Sequence, residues 1–270
     1  MRSVFFISDQ TGITTEKLGN ALLAKFPEVE FRRETFPFID TPAKMSQVML
    51  RVYNRYLQDG EKPIVVSSVL NADLRKIIEV DYAHSLDFFQ AFIPQLEEAL
   101  GVQATQKINK LHGISDEEKY NHRIDAIHFS LENDDGVSSK NYHEADVIIV
   151  GVSRVGKTPT SIYLAVNYGI KAANYPFAEL DLKTDHLPKS LVPFHQKLFG
   201  LSIEADRLHQ IRSHRLPNSK YANMTTCMDE INAAERIMNT CGIPFLNTSH
   251  KSIEEISVAI MQMVRLKRQY

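Results

Sequence analysis

Val147-Ile148-Ile149-Val150-Gly151-Val152-Ser153-Arg154-Val155-Gly156-Lys157-Thr158 decides the fold. Four consecutive β-branched residues read as a strand covered on both faces. The glycine-bounded turn behind them matches G-x-x-x-x-G-K-[ST] at every fixed position. Gly151 and Gly156 allow backbone angles and a close approach that a side chain would obstruct. Consecutive backbone N–H groups can then face one concavity and hold phosphate oxygens, helped by the partial positive charge of a helix N-terminus. In such a loop, Lys157 reaches the terminal phosphates and the Thr158 hydroxyl coordinates Mg²⁺. Pro159 follows directly, and a residue before proline is pushed away from helical angles. The helix is therefore expected to start a residue late or slightly distorted.

Working outward, a helix is predicted over Lys157–Tyr168, with Gly169 past its end. Strands are expected at Ala172–Tyr175 (stopped by Pro176), Leu198–Ile203 and Ile243–Leu246. A helix over Met228–Thr240 closes at Cys241-Gly242. Ser252-Ile253-Glu254-Glu255 is a capping box for a last helix with Ile253, Ile256, Ile260 and Met263 on one face. The first half alternates in the same way. Val4–Ile7 and Ile64–Val66 read as strands. A helix carrying Leu18, Ala21, Leu22 and Lys25 on one face ends at Pro27. Helical patterns follow at Leu74–Val80, at Leu86–Leu100 before Gly101, and at Glu117–Leu131. Periodicity stops near Asn133–Ala145. The expected fold is α/β: two α/β domains with mainly parallel sheets, 1–140 and 141–270, the second carrying the nucleotide-binding loop.

The 270 residues are 43% hydrophobic and 24% charged, which excludes disordered, collagen-like and disulfide-scaffold classes. The net charge of −2 gives no reason to expect nucleic-acid binding. No apolar run approaches the ~20 residues of a membrane span, and the apolar stretch at the N-terminus is too short for a signal peptide. Cys227 and Cys241 have neither metal nor redox spacing. They read as reduced thiols of a cytoplasmic protein.

A GTPase is excluded. Asp9-Gln10-Thr11-Gly12 lies far upstream of the loop, and Asn109-Lys110-Leu111-His112 lacks the final Asp of N-K-x-D. No strand ending in Asp supplies a second metal ligand. Several residues have two readings. Arg207, Arg212 and Arg215 suit either a mobile phosphate-neutralising lid or a solvated helix face. Asp9 could sit at the mouth of a site or cap the next helix. Asp134-Asp135-Gly136 could bind metal or make a turn, the commoner role. His112-Gly113 fits a structural position better than a catalytic one.

Taken together, these motifs resemble one family: the regulators of pyruvate, phosphate dikinase and pyruvate, water dikinase, and among them the bacterial phosphoenolpyruvate synthase regulatory proteins. The resemblance rests on Phe6-Ile7-Ser8-Asp9 with Thr11, Ile13 and Thr14, on His112-Gly113, on Asp134-Asp135-Gly136, and most heavily on Gly151–Ser161, with Ser-Arg inside the loop and Thr-Pro after the Lys. Ala172–Pro176, Leu198–Leu201, Ser252–Glu255 and the Leu266-Lys267-Arg268 ending extend it over nearly the whole chain. Gln10 departs from it, standing where Gly is expected.

The resemblance implies a bifunctional enzyme. It would phosphorylate a Thr of phosphoenolpyruvate synthase with ADP as donor, inactivating the synthase. It would remove that phosphate with inorganic phosphate as acceptor, forming pyrophosphate. It implies an ADP site at Gly151, Val152, Ser153, Arg154, Val155, Gly156, Lys157 and Thr158, with Mg²⁺ at Thr158, and a homodimer. Ser153, Arg154, Lys157 and Thr158 are the catalytic candidates. Arg154 filling the region of a third phosphate would favour ADP over ATP. The alternatives are the same reactions on pyruvate, phosphate dikinase, a small-molecule P-loop kinase using ATP, and a non-catalytic ADP-sensing regulator.

Overall fold

The computed structural model describes residues 1–104, 117–134 and 141–267. His112-Gly113, Asp135-Gly136 and Arg268 lie outside them. The chain divides into two compact units, Met1–Gly113 and Ile114–Tyr270.

The first unit runs β1 (Arg2–Ser8), α1 (Ile13–Leu23), β2 (Phe31–Phe36), α2 (Pro42–Asp59), β3 (Ile64–Ser68), α3 (Ala72–Ile78), β4 (His84–Asp87) and α4 (Phe88–Leu100). Its strands pair in parallel in the order β2-β1-β3-β4. Side chains alternate across a strand. Phe5 and Ile7 accordingly join Met45, Val48, Met49 and Val52 of α2 on one face, while Val4 and Phe6 meet Leu23 of α1 on the other.

The second unit runs α5 (Glu117–Glu132), β5 (Val147–Gly151), α6 (Lys157–Tyr168), β6 (Ala172–Pro176), β7 (Leu198–Ser202), α7 (Ala205–Arg215), α8 (Met224–Thr240), β8 (Phe245–Asn247) and α9 (Ile253–Met263). Its sheet is also parallel, in the order β6-β5-β7-β8. The α/β reading with parallel sheets therefore holds. The two sheets share one strand order although the sequence shows no repeat. All five residues of β5 are buried, as its run of four β-branched residues leads one to expect. The chain crosses from one side of β5 to the other between β6 and β7. The carboxyl end of β5 is thus a topological switch point, the place where open parallel sheets hold ligands.

Several expectations change. The division falls earlier than 140/141, because α5 packs with the second unit: Ser130 Oγ accepts from the Ala172 N–H of β6 at 3.3 Å, and Asn133 O accepts from Asn174 N at 2.9 Å. The apolar face read for α1 is turned outward, with Leu18 38% and Leu22 45% exposed. Thr15, Gly19 and Leu23 are buried instead, and the Phe6 ring occupies the space a Gly19 side chain would need. Leu86 lies in β4, and α4 begins after Asp87, which caps it by accepting from Gln90 N at 2.7 Å. The helix after the loop starts at Lys157, with no delay. Pro159 falls in its first turn, where a missing N–H breaks no intrahelical bond.

Candidate active site

The Gly151–Gly156 turn is held at both ends by the sheet. Gly151 has φ +148°, and a Cβ there would meet the Leu201 carbonyl of β7. Its own carbonyl accepts from Phe177 N at 3.1 Å, just past β6. The Val155 carbonyl accepts from Thr248 Oγ1 at 3.1 Å, and that hydroxyl also reaches Ser202 O at 3.0 Å, the last residue of β7. Gly156 caps α6 with φ +99° and no side-chain bond, so the first turn of α6 presents backbone N–H groups without a side-chain cap.

Lys157 is buried. Its Nζ donates to the Gly151 and Val152 carbonyls at 3.1 and 2.9 Å, folding the ammonium back over the turn. Thr158 Oγ1 donates to Asp134, 2.9 Å from Oδ1 and 3.1 Å from Oδ2. Ser153 Oγ lies 3.0 Å from the Tyr221 hydroxyl. Arg154 is exposed and held at φ +80°, a left-handed conformation uncommon for a long side chain.

These parts meet in a cleft of about 580 Å³. Ser153, Arg154, Gly156, Lys157 and Thr158 line it, joined by Asp134, Pro159, Pro176, and Ile211 and Arg215 of α7. Gly151, Val152 and Val155 shape the turn from behind; the two valines are buried in the core.

Asp134 is the residue whose place the sequence left open. It stands two positions beyond α5, yet its carboxylate faces the start of α6. Asn174 fixes it there: Nδ2 donates to Asp134 Oδ1 and, at 3.2 Å, to Ser161 Oγ. The Tyr142 hydroxyl in turn donates to the Asn174 carbonyl at 3.0 Å, and burial pushes that phenol up to about 12, so it remains a donor. Tyr142 carried no motif of its own, and Asn174 stood only inside the Ala172–Pro176 stretch of the family resemblance, with no role of its own.

The three arginines of α7 separate. Arg207 is exposed and reaches Gln210. Arg215 lines the cleft. Arg212 is wholly buried behind the turn and paired with Glu230 at 2.6 Å, so it is neither lid nor solvated face. Asp9 does not cap the next helix. Gly12 caps α1 without a side-chain bond, and Asp9 Oδ2 accepts from Leu70 N at 2.8 Å, tying the end of β1 to the turn after β3. Both cysteines are free thiols, and burial raises the pKa of Cys227. Among the described residues no helix is long and apolar enough to cross a membrane.

Three cationic side chains, a carboxylate and two hydroxyls around one turn suit a phosphorylated anion with a small hard cation. Mg²⁺ takes oxygen ligands, commonly one or two carboxylates completed by water and substrate phosphates. The Asp134–Thr158 pair offers that donor set, and no cluster of three or more acidic, His or Cys ligands occurs among the described residues.

Comparison with known proteins agrees in extent. Residues 4–261 match the kinase/pyrophosphorylase family. A protein of Laribacter hongkongensis (strain HLHK9) is 51% identical over 270 residues, covering 100% of this chain and 98% of its own. One from Neisseria meningitidis serogroup B (strain MC58) is 46% identical over 269 residues, with the same coverages of 100% and 98%. One from Janthinobacterium sp. (strain Marseille) is 48% identical over 265 residues, 98% of this chain and 94% of its own. All three bear the name "Putative phosphoenolpyruvate synthase regulatory protein". The family match runs through both sheets and the whole Gly151–Thr158 turn, and the chain belongs to the kinase/pyrophosphorylase family.

Proposed function

We propose that this chain moves a phosphoryl group between ADP and a threonine of phosphoenolpyruvate synthase, and removes it again with inorganic phosphate. The observation that carries the reading is the meeting of Lys157, Thr158 and Asp134 in one cleft at the switch point of a parallel sheet. The names of the relatives support the choice of target.

In the forward direction the α–β anhydride bond of ADP breaks and the threonine oxygen takes the β-phosphoryl group, giving AMP and phosphothreonine and releasing the hydroxyl proton. In the reverse direction inorganic phosphate attacks the phosphothreonine phosphorus, giving pyrophosphate and free threonine. Such transfers depend on positioning and charge neutralisation. Lys157 leaves the two carbonyls it holds and neutralises the transferring phosphate. The N–H groups of the turn hold the phosphate oxygens. Arg215 faces them from α7. Thr158 and Asp134 would hold Mg²⁺, which would supply charge neutralisation during the transfer. In this reading one turn serves both directions, because inorganic phosphate stands where the α-phosphate of AMP stood and the transferring phosphoryl group takes the β-phosphate position either way.

Asp134→Asn removes one negative charge from this set and keeps the shape. Loss of even an outer partner of a metal ligand costs about 10–100-fold in affinity. The Mg²⁺ concentration for half-maximal transfer is expected to rise by at least that factor in Asp134→Asn. A titration curve that stays in place contradicts the assignment.

Donor choice is assigned to Arg154. Its side chain lines the cleft, and in this reading it fills the region a third phosphate would take. Arg154→Ala is expected to shift binding from ADP toward ATP. An unchanged ratio of the two dissociation constants, measured by calorimetry, contradicts this. The reverse activity has its own check: synthase phosphorylated on threonine and incubated with phosphate and this chain should release pyrophosphate in step with loss of phosphothreonine. Release of inorganic phosphate alone contradicts phosphorolysis.

A further inference from the structure

Arg212 is a fully buried cation whose bonds converge behind one face of the turn. Its Nη2 donates to the Ser153 carbonyl at 3.1 Å and to Glu230 Oε2 at 2.6 Å. Its Nη1 donates to the Tyr221 carbonyl at 3.1 Å. The guanidinium lies 4.1 Å from the centre of the Tyr221 ring, and the hydroxyl of that tyrosine is the one beside Ser153 Oγ. Nε has no partner. Buried ion pairs rarely add net stability over apolar side chains of similar size, because desolvation offsets their attraction. Stability alone therefore gives a poor account of Arg212.

Direction gives a better one. The Ser153–Arg154 peptide is planar and trans, so its C=O and N–H point opposite ways. The C=O is fastened to Arg212, which does not line the cleft. Ser153 and Arg154 do line it. The Arg154 N–H is thereby turned from Arg212 toward the cleft side. The positive φ of Arg154 belongs to the same arrangement, since the chain must turn sharply there for both demands to be met.

We propose that Arg212 is a positioning residue that, through the Ser153 carbonyl, aims the Arg154 amide N–H at the β-phosphate of bound ADP, with Tyr221 setting the Ser153 hydroxyl beside it. This rests on the reading of the turn as a phosphate site. Glu230 holds the guanidinium in place from α8. The helix that carries Arg215 to the cleft thus also orients the turn from behind.

The test uses the full chain and compares ADP with AMP, which lacks the β-phosphate. Dissociation constants are measured by calorimetry for the parent, Arg212→Lys, Arg212→Met, Tyr221→Phe and Lys157→Ala, each checked by its melting temperature. A misdirected charge-assisted donor costs about 10-fold. Both Arg212 variants should lose about 10-fold in ADP affinity and keep AMP affinity within about twofold. Tyr221→Phe keeps the ring under the guanidinium and loses only the hydroxyl, and it should shift the same ratio by about 2–3-fold. If Arg212→Met fails to fold, Arg212→Lys and Tyr221→Phe carry the result. Folded variants in which ADP and AMP weaken together, or neither weakens, overturn the proposal, provided Lys157→Ala loses ADP. A Lys157→Ala protein that binds ADP as tightly as the parent overturns the phosphate-site reading and this proposal with it.

Discussion

Lys157→Ala is expected to lower phosphoryl transfer from ADP by about 10²–10³-fold while the protein stays folded. The ammonium is buried, and it donates to two carbonyls of the turn it would serve, Gly151 O and Val152 O. A carbonyl carries no formal charge, and in this reading a phosphate entering the cleft brings the ammonium a full negative charge. Losing one preorganised group that stabilises transferring charge costs about 3–4 kcal/mol of transition-state energy. The two lost hydrogen bonds cost the folded state about 1.5–3 kcal/mol each, as bonds from a charged donor. Transfer assays beside thermal melts separate the effects. Activity within about 10-fold of the parent contradicts the role given to Lys157.

Gly151→Ala is expected to destabilise the second unit by about 3 kcal/mol or more. At φ +148° a side chain is strained, and the added Cβ would collide with a backbone oxygen of β7, which cannot move without breaking the sheet. Gly156 provides the comparison. It too has positive φ, +99°, but a Cβ there meets nothing within 4 Å. Gly156→Ala should cost only backbone strain, about 1–2 kcal/mol. Urea unfolding followed by circular dichroism reads both. Equal losses would mean that the contact with Leu201 has no energetic weight.

The same turn shows why part of the fold was legible. The α6 helix has the bounds expected of it because Gly156 and Gly169 bracket it, both in left-handed conformation. β5 was legible because a strand buried on both faces must be apolar throughout. β2 was not: Arg32, Arg33 and Glu34 sit in the middle of a half-exposed edge strand, so no apolar run marks it. α2 went unread although its signals are local. Thr41 accepts from Lys44 N, Pro42 opens the first turn and Gly60 closes the last at φ +69°. Its exposed face is rich in polar residues, which masks the Met45, Val48, Met49 and Val52 stripe. The α1 face was misread because Gly19 carries no hydrophobic signal, yet its lack of a side chain lets Phe6 in.

At the site, the turn itself was legible since its chemistry lies in consecutive residues. Its support was not. Asp134 lies 24 positions before Thr158, Glu230 lies 18 after Arg212, and Ser153 lies 59 before it. Such pairings are made by the sheet, and no local pattern announces them. Arg212 shows the consequence: it lies three positions from Arg215, the spacing of helical neighbours, and only packing separates one buried behind the turn from one in the cleft.

Transfer to the proposed target tests the account most directly. Phosphoenolpyruvate synthase, with its catalytic histidine already phosphorylated, is incubated with this chain, Mg²⁺ and ADP labelled in the β-phosphate. A parallel reaction carries ATP labelled in the γ-phosphate, and the label is mapped by mass spectrometry. The account predicts label on a synthase threonine from ADP and none from ATP. Label from ATP alone, or none from either nucleotide although ADP binds, would contradict it.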